Sequence, residues 1–144
     1  MRDKLGLFGE DKDDKKLIND LFDWMKKNKA DYTNTFCNLM GINSDEVYKN
    51  NDFIYWKNEW KKRSELNNST KEKQSKLMKL NNPIVIPRNH KVEEALAEAD
   101  KGSLDKMKKL LTILKNPYEN QSNIEEYQTP APRSNEKYQT FCGT

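Results

Sequence analysis

The sequence predicts a mainly α-helical fold: a small array of about five helices followed by an extended C-terminal tail. Three observations predict it. Apolar residues recur at three- and four-residue intervals in stretch after stretch, the spacing that lines one face of a helix. Helix-stopping residues fall where those stretches end, at Gly41, at Gly102 and at Asn116-Pro117. Apolar side chains make up 34% of the residues and charged ones another 34%, against roughly 45–50% apolar in an ordinary globular domain. Such a chain has material for a thin helical layer with solvated faces, completed by a partner surface.

The first helix is expected over Asp13–Lys27, where Leu17, Leu21 and Met25 recur at helical spacing with Ile18, Phe22 and Trp24 beside them. Acidic residues open it and lysines close it, as the helix dipole favours. Asp31 is a good N-cap for a short helix through Tyr32, Phe36, Leu39 and Met40, stopped by Gly41. A third helix spans about Asp52–Leu66 with Phe53, Trp56 and Trp60, and Ser69 can cap an extension from Thr70 to Leu80. Pro83 and Pro87 bracket a short extended stretch, since neither favours a continuing helix. The fourth helix runs about Asn89–Lys101, with Val92, Ala95, Leu96 and Ala99 in one narrow stripe. Gly102 stops it and Ser103 caps the fifth, Leu104–Lys115, the clearest in the chain. There Leu104, Met107, Leu111 and Leu114 fall at i, i+3, i+7 and i+10, flanked by Leu110 and Ile113. Residues 1–118 thus form one helical domain, and 119–144 an extended tail ending in a cysteine.

Several functions are excluded or disfavoured at this level. The 26 basic and 23 acidic residues leave a net charge of only +3, interspersed, so nucleic acid is not implied as a partner. The N-terminus lacks the apolar stretch of a secretory signal, and no run is long enough to span a membrane, so the expected compartment is the cytoplasm. There is no G-x-x-x-x-G-K-[ST] or G-x-G-x-x-G loop to cradle phosphates, and no H-R-D or D-F-G element. One histidine, His90, and two distant cysteines, Cys37 and Cys142, do not make a zinc set.

The remaining candidates each have a plain structural alternative. His90 reads as a capping or surface residue at a helix start. Trp56 and Trp60 beside Lys61, Lys62 and Arg63 could stack bases, but burial of both rings is the simpler expectation. Cys37, among apolar neighbours, is expected to be a buried, inert thiol. Cys142, near the chain end beside Gly143, is the candidate redox residue on exposure alone. Abundant acidic pairs in a chain this charged read as solvated faces.

Several stretches together carry a resemblance. Met1-Arg2-x-Lys4-Leu5-Gly6-Leu7, Asp31-Tyr32-Thr33-x-x-Phe36 and Trp56-x-x-x-Trp60-x-x-Arg63 lead into Asn82-Pro83-Ile84-Val85-Ile86-Pro87-Arg88-Asn89-His90. Ala95, Ala99, Lys101-Gly102, Leu110-Leu111-x-x-Leu114-x-Asn116-Pro117-Tyr118 and Phe141-Cys142-Gly143-Thr144 complete the set. In this order and spacing they resemble the C-terminal part of the selenoprotein O family, also called SelO or YdiU. The resemblance implies a kinase-like fold and transfer of AMP from ATP to Ser, Thr or Tyr hydroxyls of proteins, with Mg or Mn. It places the nucleotide- and metal-binding residues in a kinase-like region that would precede Met1, so no catalytic, cofactor or metal residue falls on this chain, which corresponds to roughly the last third of a family member. It matches Cys142 to a redox-active terminal cysteine or selenocysteine whose partner lies in that other region, whereas Cys37 stands where the family pattern has a basic residue. The implied partners are the kinase-like catalytic region, in the same or a separate chain, and protein substrates. An independent helical protein- or nucleic-acid-binding module is the alternative left open.

Overall fold

The structure, a computed structural model, describes residues 1–66 and 68–131. Among them are seven α-helices and no strand: α1 (Asp14–Asn28), α2 (Tyr32–Leu39), α3 (Asn51–Glu65), α4 (Lys71–Asn81), α5 (Asn89–Ala99), α6 (Asp105–Leu114) and α7 (Glu125–Gln128). Short 3-10 turns lie at Asp3–Leu5 and Glu46–Lys49. No described helix is long and apolar enough to cross a membrane.

The helix ends follow local chemistry. Asp31 caps α2 as expected, its side chain accepting from the Asn34 N–H at 2.8 Å. The expected extension of the third helix is instead a separate helix, α4. Its cap is Thr70, not Ser69: the Thr70 hydroxyl accepts from the Lys73 N–H at 3.3 Å. Leu104, not Ser103, occupies the cap position of α6, with the Ser103 hydroxyl only 3.5 Å from the Asp105 N–H. The Pro83–Pro87 stretch is non-helical, with a bend at Ile84, and the Ile84 N–H donates to the Pro117 carbonyl at 2.7 Å.

Two apolar clusters make the core. The first gathers Leu5 and Leu7, Leu17, Leu21, Trp24 and Met25 of α1, and Phe36 and Leu39 of α2; Tyr48, then Phe53, Trp56 and Trp60 of α3, and Met78 of α4 close it. The second gathers Cys37 of α2, Ile84, Val85, Ala95 of α5, Leu110 and Ile113 of α6, Ile124 and Tyr127. Helix α2 therefore belongs to both: Phe36 and Leu39 point one way and Cys37 the other, as their spacing on a helix requires. Gly6 lets the N-terminal turn sit flat on α4. Its φ is +64°, and a Cβ there would lie 2.6 Å from Cγ of Gln74 and 2.9 Å from Cγ of Met78.

This packing refines three expectations. On α6 the flanking pair, Leu110 and Ile113, is the more deeply buried, at 4% and 6% exposure, whereas Leu104 and Leu111 of the regular stripe stand 52% and 53% exposed. On α5, Ala95 is buried against the second cluster but Leu96 is half exposed. The expected tail does not begin as a loose strand: Ile124 and Tyr127 are buried, and the Gln128 side chain donates to the Ile84 carbonyl at 3.2 Å. Two apolar residues three apart in an otherwise polar stretch are too sparse to register as periodicity, which is why the sequence does not announce α7. The chain end from 132 to 144, with Cys142, lies outside the described residues.

Candidate functional site

The residues that carry the family-like pattern meet one another across the two clusters, and two arginine–carboxylate ties organise them. In the first, Arg63 on the last turn of α3 reaches Asp14 at the start of α1, Nε to Oδ1 at 2.6 Å. Both side chains are almost fully enclosed, at 10% and 6% exposure. The Asp11 N–H also donates to the Asp14 carboxylate, and an Nη of Arg63 reaches the Phe8 carbonyl. Burial alone would push the Asp14 carboxyl up; Arg63 and the Asp11 N–H outweigh it and hold the group below its ordinary value.

In the second tie, Arg88 binds Asp31 through both Nη atoms, at 2.8 and 2.9 Å, and donates to Oδ1 of Asn34 at 3.2 Å. This is a bidentate guanidinium–carboxylate fork. Asn34 in turn donates to the Gln128 carbonyl at 3.1 Å, so the fork links α2, the approach to α5 and α7. Burial again acts upward on Asp31, and Arg88 with the Asn34 N–H leaves it depressed overall. Both carboxylates are therefore anionic and engaged at neutral pH, which makes them structural ions rather than proton-transfer groups.

The other family-like residues serve the same end. Asn82, 1% exposed, donates through Nδ2 to the carbonyls of Lys4 and Met78 at 2.8 and 2.9 Å. Lys4 donates to the Asn81 carbonyl at 2.7 Å and lies 5.5 Å from the centre of the Phe36 ring. Trp56 and Trp60 stack with rings 6.3 Å apart and 4° from parallel. Their indole N–H groups donate inward to the Leu17 and Leu5 carbonyls, at 2.8 and 2.9 Å. Buried to 5% and 7%, neither face is free for a nucleic-acid base. Lys61 and Lys62 are exposed, but Arg63 of that basic run is committed to Asp14.

Of the reactive candidates, Cys37 is fully buried, with Sγ 3.9 Å from the Pro83 and Ile84 carbonyls. Burial first, and the Asp31 charge second, push its thiol up to about 11. A thiol so protonated is a poor nucleophile. With Cys142 replaced by serine, the folded chain at pH 8 is expected to react with a thiol reagent at least about 100-fold more slowly than the urea-unfolded chain, because two pH units of depressed ionisation leave about 1% of the thiolate. Equal rates would refute its burial. His90 is half-buried in the first turn of α5, beside a shallow hollow shared with Ile86, Pro87, Arg88 and Ala131. A larger open depression lies across Phe22, Met25, Lys29, Tyr32 and Pro130. Among the described residues no three His, Cys, Asp or Glu side chains gather in a group suited to a metal ion.

Sequence reasoning missed both arginine–carboxylate ties, although Asp31, Arg63 and Arg88 all stood in the quoted pattern. The partners are 57 and 49 residues apart, and no local periodicity connects them.

A family model described as Protein adenylyltransferase SelO matches residues 1–115. Relatives named protein nucleotidyltransferase YdiU align with 100% of this chain. That of Pelagibacter ubique (strain HTCC1062) is 57% identical over 146 residues. That of Clostridium botulinum (strain Eklund 17B / Type B) is 48% identical over 148, and that of Bacillus thuringiensis (strain Al Hakam) 44% identical over 147. The chain spans 30% of the length of each of these relatives.

Proposed function

Because this chain belongs to the SelO family of protein adenylyltransferases, we propose that it is the C-terminal, non-catalytic region of such an enzyme, cytoplasmic, packing against a kinase-like catalytic region. That region, in the same polypeptide or a separate chain, would hold ATP with Mg or Mn and transfer AMP to Ser, Thr or Tyr hydroxyls of protein substrates. The tail with Cys142 would be presented from this scaffold as a redox-capable end.

One observation supports this reading above the others: the family-like residues are spent on internal ties. Asp31 holds Arg88, Arg63 holds Asp14, Asn82 holds the Lys4 carbonyl, and both tryptophans donate inward. A site for nucleotide would instead aim such groups at open space. The same observation weakens the nucleic-acid form of the alternative, since the aromatic platform is buried. Its protein-binding form merges with the present proposal, because both require a partner surface.

The test is AMP transfer. The purified chain is incubated with ATP labelled at the α-phosphate and with Mg or Mn, and protein-bound label is counted against a full-length relative. The relative is expected to incorporate label and this chain none. Label on this chain that disappears when metal is removed would overturn the non-catalytic assignment.

A further inference from the structure

The most regular apolar stripe of the chain is only partly covered by the described residues. Leu104, Met107, Leu111 and Leu114 fall at i, i+3, i+7 and i+10, one face of α6 and the residue that caps it. Leu110 and Ile113, on the neighbouring face, are buried against α5 and α7. Met107 and Leu114 are half-covered at the edge of that cluster, and Leu104 and Leu111 are more than half exposed. The apolar arc of α6 is thus wider than the rest of the described chain can cover. An isolated exposed leucine needs no explanation, but an ordered stripe along one helix marks an interaction face.

The charges beside the stripe are informative. Lys106 pairs with Glu98 and Lys109 with Glu126, both on the side facing this chain's own helices. Lys108 and Lys115 project next to Leu104 and Leu111 by helical spacing and have no ion-pair partner among the described residues. A partner for this face would be apolar at its centre and acidic at the rim it shares with those lysines. More than two thirds of each full-length relative lies outside the match, whereas the family model runs through Lys115 and so includes all of α6. We infer that the Leu104–Leu111 face of α6 docks on an apolar, acid-rimmed surface of the region that completes a full-length SelO-family protein. This rests on the reading that such a region packs against the chain, and it names the contact surface.

The test reads accessibility at Leu111. A Leu111→Cys variant is made in a Cys142→Ser background, with Cys37 buried and silent, and a Tyr55→Cys variant serves as control because Tyr55 is 70% exposed on α3. Each is labelled with a maleimide in two settings: as the free chain, and within the full-length Pelagibacter ubique relative after its matching segment is exchanged for this chain. The expected result is rapid labelling of both variants in the free chain and at least a tenfold slowing of Leu111→Cys alone in the full-length protein. Adding Lys108→Glu with Lys115→Glu should restore much of that lost rate. Equal labelling of Leu111→Cys in both settings overturns the face. If the exchanged protein then still transfers AMP, the packing reading survives without it; if transfer is lost and both positions label freely, the packing reading falls too. Should the exchange prevent folding, a cysteine at the aligned position of the native relative gives the same readout. Slow labelling of the free chain together with sedimentation as a dimer would assign the face to a second copy and overturn the proposal.

Discussion

Replacing Trp60 with alanine is expected to cost about 3–5 kcal/mol, the range for removing a buried large aromatic side chain. That is a large share of the roughly 5–15 kcal/mol that holds an ordinary domain together, and this chain starts with a thin core. The loss has two parts. The ring is enclosed to 7% exposure and lies parallel to Trp56, so its removal opens a cavity beside Trp56 and the N-terminal turn. Its N–H also satisfies the buried Leu5 carbonyl at 2.9 Å. Trp60→Phe separates the two, keeping most of the packing while orphaning that carbonyl at about 1–3 kcal/mol. Urea unfolding followed by circular dichroism measures both variants. A Trp60→Ala cost under about 1 kcal/mol would contradict the packing described here.

Asp14→Ala is expected to cost a comparable amount, about 3–5 kcal/mol, because it leaves the enclosed Arg63 guanidinium without its counter-charge. The pair itself is weak testimony for net stability, since desolvating two ions offsets most of their attraction. The double replacement Asp14→Leu with Arg63→Met should therefore cost much less than either single loss. The cost of Asp14→Ala also depends on pH. Burial raises the Asp14 carboxyl, but Arg63 and the Asp11 N–H bring it below 3.8, its ordinary value. A carboxyl depressed in the folded state contributes stability above its unfolded pKa and loses that contribution as pH falls through the folded one. The difference between the native chain and Asp14→Ala should be full at pH 6 to 7 and shrink below about pH 4. A difference that stays constant from pH 7 to pH 2 would show that the ion pair does not form in solution.

Much of the scaffold was legible in the sequence, and the reasons are local. Leu17, Leu21 and Met25 fix α1 because a 3.6-residue period needs no distant information. Asp31 announces α2 because an aspartate cap is satisfied within three residues. The resemblance read from the ordered residues agrees with the family match; burial of Trp56 and Trp60 followed from their i, i+4 spacing, and that of Cys37 from its apolar neighbours. What stayed hidden depends on residues far apart. The choice between the two faces of α6 is made by α5 and by Ile124 and Tyr127, and the periodicity of α6 fits either face. The break between α3 and α4 turns on Thr70 rather than Ser69, two hydroxyl residues that differ only by position. The ties of Arg63 and Arg88 are contacts of tertiary structure, and charged residues in a chain of this composition give no sign of which will find a buried partner.

The distribution of the tryptophans has a practical corollary. Trp24, Trp56 and Trp60, all three in the chain, lie in the first cluster, and the second has Tyr127 as its buried aromatic. Indole emission therefore monitors the N-terminal half alone, while the far-ultraviolet signal averages every helix. Helix α2 is the shared wall, so its integrity determines whether those two optical records coincide during unfolding. Superimposable curves would mean that Phe36 and Cys37, adjacent on one short helix and buried in different clusters, bind the halves into a single cooperative unit. Separate midpoints would mean that α5 to α7 can open on their own while the tryptophan side stays closed.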